Sequence, residues 1–110
     1  MPGSKRSVQS YPVRPSHRRN LDPAALAAIA KNHFDTVSVD GAEMVAAHGA
    51  IEKLSVRPEG RELRLTVTMR PKVADEVARE TIARYNAFLE ETTGYTSKER
   101  ARRLRKSAGE

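Results

Sequence analysis

The clearest pattern in the chain lies between positions 51 and 70, where apolar and polar residues alternate on both sides of Pro58-Glu59-Gly60. A period of two over this length predicts a half-buried antiparallel β-hairpin with one face toward water. The following residues would occupy that wet face: Lys53, Ser55, Arg57, Arg64, Thr66, Thr68 and Arg70.

Two stretches place apolar residues at helical spacing. The first predicts a helix from Pro23 to His33, with Asp22 as its N-cap and Pro23 at its first position. The second predicts a long helix over 74–91, which Gly94 would stop in the left-handed conformation. Its apolar face would consist of Val77, Ile82, Tyr85, Phe88 and Leu89.

A third helix is predicted after Gly94, because Thr96-Ser-Lys-Glu99 has the form of a capping box. This short basic helix would reach about Lys106 and has few apolar residues to bury, so it needs a partner to be stable.

Tyr95 allows two interpretations. It packs between the two helices, or it lies exposed beside Lys98 as a platform on which a base stacks.

Strands are also predicted nearer the N-terminus. Asp40-Gly41 is a strong hairpin signal of type I′, although residues 42–47 are compatible with either a return strand or a helical turn. We favour the strand. The stretch around Tyr11 is compatible with a short edge strand, since Pro12 and Pro15 cannot donate hydrogen bonds within a central one. The residues before it look disordered as far as about Ser7.

Together these elements predict an α+β fold. The sheet is small and antiparallel, with about four strands, or five if the short N-terminal strand forms. Two helices pack on one face, and a short basic helix follows. Residues 1–20 would form a basic, mostly flexible segment, residues 21–94 the single α+β domain, and residues 95–110 a basic helix or tail.

Composition excludes several classes of protein. The chain has 110 residues and no cysteine, which excludes a disulfide scaffold, a cysteine-bound metal site and a thiol enzyme. No apolar run approaches the roughly 20 residues that span a bilayer, and the first 20 residues are charged and proline-rich. We therefore expect a soluble cytoplasmic protein without a membrane segment or export signal.

The net charge of +6 is unevenly distributed. Residues 1–20 carry five basic residues and no acid, and residues 95–110 carry six basic residues against two acids. Residues 21–94 carry nine basic and twelve acidic residues. The positive charge thus belongs to the two ends, which would attract polyanions by counterion release.

Catalytic and metal-binding patterns are absent from the sequence. His17, His33 and His48 include no pair at the i,i+4 spacing of a helical metal site. No Gly-x-Ser-x-Gly turn or phosphate-cradling glycine loop is present, and the carboxylates are explained by helix ends and solvated faces. We expect a protein that is not an enzyme and has no cofactor or metal.

Several segments resemble a family of small, uncharacterised archaeal proteins that share a domain of unknown function. They are Val39-Asp-Gly, His48-Gly-Ala-Ile-Glu-Lys, Asp75-Glu-Val-Ala and the stretch 82–100, IARYNAFLEETTGYTSKER. The resemblance covers about residues 35–104 and is densest at 82–100, whereas the basic first 20 residues depart from it. It implies a hairpin at Asp40-Gly41 and an archaeal, cytoplasmic source, and it implies no activity.

The predicted order of elements also resembles the repeat of TATA-box-binding-protein-like domains. In that fold, helices cover one face of a curved antiparallel sheet and the other face can be used on nucleic acid. Minor-groove binders of this type insert apolar wedges such as phenylalanine. Here Phe34 and Phe88 lie on helical core stripes, so this wedge mechanism is not expected.

The favoured functional hypothesis is a non-enzymatic protein that binds RNA or DNA through phosphates. The candidate residues at the two ends are Arg14, Arg18, Arg19, Lys98, Arg102, Arg103 and Arg105, and the supporting residues of the sheet are Arg57, Arg64 and Arg70. The alternative is a homodimer or protein-interaction subunit completed along a strand edge or the last helix. If the ends carry the binding, their deletion should leave the core folded.

Overall fold

The protein, in a computed structural model, is described for the backbone of residues 5–108 and the side chains of residues 6–102. Its strands are β1 (Lys5–Pro12), β2 (Thr36–Asp40), β3 (Glu43–His48), β4 (Ile51–Glu59) and β5 (Glu62–Met69). Its helices are a 3-10 helix (Pro15–Asn20), α1 (Pro23–Ala30), α2 (Asp75–Thr93) and α3 (Ser97–Ala108). The α+β fold is confirmed, with a sheet of five antiparallel strands in the order β1-β5-β4-β3-β2. Across the described residues, no helix is long and apolar enough to cross a membrane.

The N-terminal segment belongs to the body of the fold. All eight residues of β1 pair with β5, from Lys5 opposite Met69 to Pro12 opposite Glu62. The expectation of disorder up to Ser7 is therefore wrong for residues 5–7. The edge position predicted from the prolines is confirmed, because β1 lies at one end of the sheet. Tyr11 and Val13 are buried in the core, so the predicted flexible segment instead supplies part of that core.

Three tight hairpins join β2 to β5, and each has a two-residue loop that begins with glycine. The loops are Gly41-Ala42, Gly49-Ala50 and Gly60-Arg61, and the three glycines have φ between 52° and 64°. No other residue type has a positive φ within residues 5–108. A positive φ at the first loop position alone is the pattern of a type II′ turn, so the predicted hairpin at Gly41 forms without the expected type I′ geometry.

The core lies between the helices and one face of the sheet, which we call the covered face. Met44, Leu54 and Leu65 from the sheet are completely buried against Leu26 of α1 and Phe88 of α2. The local helix signals are confirmed, since the carboxylate of Asp22 accepts a hydrogen bond from the Ala25 amide and Gly94 ends α2 with φ 81°.

The two phenylalanines also lie in this core. The ring centroids of Phe34 and Phe88 are 5.2 Å apart, and both side chains are buried. Their burial confirms that neither side chain is available as a wedge for a DNA groove.

The apolar face of α2 differs from the prediction in the first half of the helix. Val77 and Ile82 are 40% and 52% exposed, whereas Thr81 is 1% exposed. The Thr81 hydroxyl accepts a hydrogen bond from the Ala50 amide at 3.0 Å and donates one to the Val77 carbonyl at 2.7 Å. Thr81 thus satisfies a buried amide in the β3–β4 turn, which is why a polar residue takes the position expected of an apolar one.

The contact between Thr81 and this turn gives a first prediction. Gly49 and Gly60 have almost the same φ, but a Cβ at Gly49 would collide with the Thr81 hydroxyl, whereas one at Gly60 meets no atom within 4 Å. Gly60→Ala should cost about 1–2 kcal/mol of unfolding free energy from backbone strain alone. Gly49→Ala should cost roughly 1–3 kcal/mol more, because the packed threonine must move. Urea unfolding of both variants measures the difference, and equal losses would contradict the Thr81 contact.

Candidate nucleic-acid interface

The face of the sheet opposite the helices, which we call the open face, carries basic and hydroxyl side chains on three adjacent strands. Strand pairing places residues directly opposite one another on the same face. On β1, β5 and β4 the open face therefore presents Arg6, Val8, Ser10, Arg64, Thr66, Thr68, Lys53, Ser55 and Arg57. The wet face predicted for the 51–70 hairpin is confirmed, since Leu54, Val56, Leu63 and Leu65 are completely buried on the other side.

Four cations of the open face form two groups. Arg6 and Lys53 flank Thr68 from the two neighbouring strands, and Arg57 lies directly opposite Arg64. Thr68 and Arg64 are four residues apart on β5, which corresponds to about 13 Å along the strand. Because all four cations are exposed, an extended polyanion could contact both groups at once.

Arg57 and Arg64 form a cross-strand pair of like charges. Like charges directly opposite each other on two strands destabilise a sheet. Arg64 has only a long ion pair, 4.0 Å from Nη1 to the Glu59 carboxylate, and Arg57 has no ion pair within the described part of the chain. Two exposed arginines on opposing strand positions are thus accessible to an external anion.

Two shallow depressions lie between these cations. The first has a volume of about 320 Å³ and is lined by Glu43, Ser55, Arg57, Glu59, Arg64 and Thr66. The second has a volume of about 310 Å³ and is lined by Arg6, Glu43, Lys53, Ser55, Thr66 and Thr68. Hydroxyl groups thus lie between the two cation groups, as in surfaces that contact phosphate oxygens.

The acids of the open face lie mainly at its borders. Glu59 and Glu62 lie opposite each other on β4 and β5, next to the turn that joins these strands. Asp40 lies at the end of the outer strand β2. Glu43 is the exception, since it lines both depressions. The cations therefore form a band across β1, β5 and β4, with acidic groups on either side.

The described part of the open face carries no aromatic side chain. Tyr11 and Tyr95 are each only 7% exposed, and the guanidinium of Arg14 lies 4.4 Å from the centre of the Tyr95 ring. The packing interpretation of Tyr95 is thus the correct one, and base stacking on it is ruled out. The described part of the open face therefore offers no ring on which a base could stack.

An apolar cavity of about 190 Å³ lies on the covered side, between α2 and the strands β1, β4 and β5. It is lined by Ser7, Gln9, Ile51, Val67, Met69, Thr81, Ile82 and Tyr85, so no charged side chain contributes to it. Burial raises the pKa of Tyr85, whose hydroxyl has no hydrogen-bond partner in the described part of the protein. This lining is unsuited to an anion.

Two of the three histidines, His33 and His48, lie beside carboxylates on the helical side. His48 lies between Asp35 and Glu80, at 3.2 and 2.8 Å, and His33 is 2.8 Å from Glu91. The Arg84 side chain and His48 hold the pKa of Glu80 below its ordinary value. Among the described residues, no group of three or more His, Asp or Glu side chains is arranged so that it could hold a metal ion.

The model of a domain of unknown function, DUF5611, matches residues 8–106. The chain belongs to the DUF5611 family. The match begins in β1 and ends in α3, so this DUF5611 domain includes residues that the sequence prediction assigned to the two basic ends.

A solved structure has a similar fold. It is the NMR solution structure of hypothetical protein TA0095 from Thermoplasma acidophilum, which is 27% identical to this chain with a TM-score of 0.65. The alignment covers 87% of this chain and 96% of that one. Comparison with curated proteins gives no match.

The candidate residues at the ends are not brought together on the open face. Arg14 is engaged within the DUF5611 domain, donating from Nε to the Gly94 carbonyl at 2.6 Å and from Nη2 to Glu99 at 3.1 Å. Arg18 and Arg19 are exposed on the 3-10 helix, which packs against α1 and α2 on the covered side. Lys98 and Arg102 are exposed on α3, and the side chains of Arg103 and Arg105 lie outside the described residues.

Of the ten candidates, the structure places Arg57 and Arg64 side by side. Arg70 is exposed just after β5 and donates from Nε to the Gly49 carbonyl at 3.1 Å. Sequence reasoning did not include Arg6 and Lys53 among the site residues. The alternation predicted Lys53 on the wet face, but only the pairing of β1 with β5 shows that Arg6 lies across Thr68 from it.

The last helix is anchored by a buried arginine. Arg100 is 3% exposed and donates to the Tyr95 carbonyl at 2.6 Å and to Asn86 Oδ1 at 3.0 Å. Its guanidinium also lies 5.8 Å from the centre of the Tyr11 ring, and burial lowers its pKa. The predicted capping box is present, because Thr96 and Glu99 exchange hydrogen bonds of 2.9 and 3.2 Å.

These contacts overturn the expectation that the ends can be removed without unfolding the core. Deletion of residues 1–20 would remove β1 with the buried Tyr11 and Val13, and deletion of residues 96–110 would remove Arg100. Either deletion would leave buried groups of the remaining domain without partners.

The role of Arg100 gives a second prediction. Arg100→Ala should lower the free energy of unfolding by about 2–4 kcal/mol, because two hydrogen-bond acceptors lose their donor inside the protein. Arg102→Ala, two positions along the same helix at an exposed site, should change it by no more than about 0.5 kcal/mol. Chemical denaturation of the two variants makes the comparison. Similar effects in both would show that Arg100 does not anchor α3.

Proposed function

We propose that this DUF5611 domain is a non-enzymatic, cytoplasmic nucleic-acid-binding protein that contacts RNA or DNA through the open face. The cross-strand pair of Arg57 and Arg64 is the observation that carries the proposal. Two like charges held opposite each other cost stability in the free protein, and a phosphate between them removes that repulsion.

The chemistry of the open face favours phosphates over bases. Arginine presents a planar fork of donors that matches two phosphate oxygens, and hydroxyl groups donate to phosphate as well. Ser55 and Thr66 lie between the two cation groups and can supply such donors. Because the described part of this face has no aromatic side chain, stacking on it contributes no affinity, so little base preference is expected.

The order of elements offers further support. It resembles TATA-box-binding-protein-like domains, in which the sheet face opposite the helices can contact nucleic acid. The open face is the equivalent surface here, and burial of Phe34 and Phe88 argues for contact without groove kinking. The proposed interface is therefore the open face of the sheet and not the two basic ends.

Binding through this face should depend strongly on salt. Four phosphate contacts, from Arg6, Lys53, Arg57 and Arg64, correspond to a slope of about −2.8 to −3.6 in log affinity against log salt. Affinity should then fall roughly 50- to 150-fold between 50 and 200 mM salt. Fluorescence anisotropy with a labelled 20-nucleotide RNA and a 20-base-pair DNA duplex measures both slopes.

The third prediction concerns the arginine pair. Arg57→Ala combined with Arg64→Ala should weaken binding about tenfold or more at 50 mM salt and reduce the salt slope by about 1.5, because two phosphate contacts are lost. The matched control is Lys31→Ala with Arg79→Ala, which removes the same charge from exposed positions just after α1 and on α2. It should change the affinity by no more than about twofold.

Three outcomes would overturn the proposal. One is absence of binding to either oligonucleotide at 50 mM salt. Another is an equal loss in the control, which would show that only the net charge matters. The third is that the Arg57/Arg64 variant binds as tightly as wild type whereas Arg18→Ala/Arg19→Ala loses affinity. That result would indicate that the 3-10 helix is the binding surface.

A further inference from the structure

The outer edge of β2 is an unprotected strand edge. β2 is the last strand of the sheet, and no described strand pairs with its outer side. Four of its five residues are exposed, and Val39 is 48% exposed. Its backbone amide and carbonyl groups on that side are therefore available to another strand.

The opposite edge of the sheet is protected. β1 carries Lys5 and Arg6 at one end and Pro12 at the other, and charged residues and proline are the means by which proteins block pairing between edges. β2 has the sequence Thr-Val-Ser-Val-Asp, with no lysine, arginine or proline. The difference between the two edges points to pairing at β2 alone.

The sequence of β2 is complementary to itself in antiparallel pairing. With Ser38 opposite Ser38 of a second copy, Val37 faces Val39 and Thr36 faces Asp40, so no like charges oppose each other. Val37 and Val39 share the covered face, because they pair with Ala46 and Met44. If the antiparallel pairing were centred on Val37 instead, Val39 would lie opposite Asp35 of the second copy. That register would place an apolar side chain next to an acid.

We propose that two copies of this chain associate through β2, antiparallel and centred on Ser38, to form one continuous ten-stranded sheet. The two-fold axis runs perpendicular to the sheet. On the covered face, Val37 of each copy packs against Val39 of the other. One five-residue strand per copy buries less surface than a standard stable interface, so the dimer is weak and depends on concentration. The association does not depend on nucleic-acid binding.

The absence of cysteine allows a direct test of this register. In the proposed dimer the two Ser38 residues are direct neighbours with Cβ atoms about 4.5–5.5 Å apart, close to disulfide geometry. The two Thr36 residues, on the same face, are about 14 Å apart, beyond the reach of a disulfide.

This difference gives the fourth prediction. Under mild oxidation Ser38→Cys should form a covalent dimer at least tenfold faster than Thr36→Cys at the same concentration. Equal rates would contradict the register.

Sedimentation equilibrium up to 1 mM supplies the second measurement. The wild-type mass should rise from 12.2 kDa toward twice that value. Val39→Lys should weaken the dimer at least tenfold, because the lysine faces Val37 of the second copy. Val8→Lys, an equally exposed position on the other edge, should dimerise like wild type. A wild type that stays monomeric at 1 mM, or equal weakening by both variants, would overturn the proposal.

Discussion

The pairing of β1 with β5 is the contact on which the rest of the molecule depends. It joins the first described strand to β5, with partners fifty or more residues apart along the chain, and all eight residues of β1 take part. This pairing carries Tyr11 and Val13 into the core and positions Arg14, whose amide bonds to the Thr93 carbonyl at the end of α2. It also aligns Arg6 with Thr68 and Lys53, which completes the band of cations on the open face.

The positive charge of the two ends serves two separate purposes. Arg14 and Arg100 are used inside the domain, where they hold the α2–α3 junction through the Gly94 and Tyr95 carbonyls. Arg6 contributes to a surface that is open to solvent. The net charge of a segment does not distinguish these two roles, because a guanidinium can stabilise a helix junction as readily as it can bind a phosphate.

The local signals of the sequence predicted most of the fold. The Asp22 cap, the Gly94 stop, the Thr96–Glu99 capping box and the 51–70 alternation each depend on neighbouring residues, and all four are present. The extent of β1 could not be predicted, because Ser7 and Gln9 lie on the covered face whereas Val8 is exposed on the open one. The orientation of α2 likewise depends on the distant contact between Thr81 and Ala50.

Part of the candidate site was accessible from sequence and part was not. Alternation placed Arg57 and Arg64 on the same wet face, since both belong to one hairpin. Their direct opposition depends on the two-residue loop at Gly60, and the addition of Arg6 depends on the long-range pairing of β1. A pattern along the chain contains the first kind of information but not the register between distant strands.

Under the proposed function, the Arg57–Arg64 pair favours nucleic-acid binding at the expense of the stability of the free protein. Urea unfolding of Arg57→Thr, with and without a 20-nucleotide RNA, tests it most directly. Without RNA the variant should be more stable than wild type by about 0.2–1 kcal/mol, because the like-charge repulsion is removed. With RNA it should gain less stability than wild type does, because it binds more weakly. A variant that is less stable alone, or that gains as much from RNA as wild type, would contradict the account.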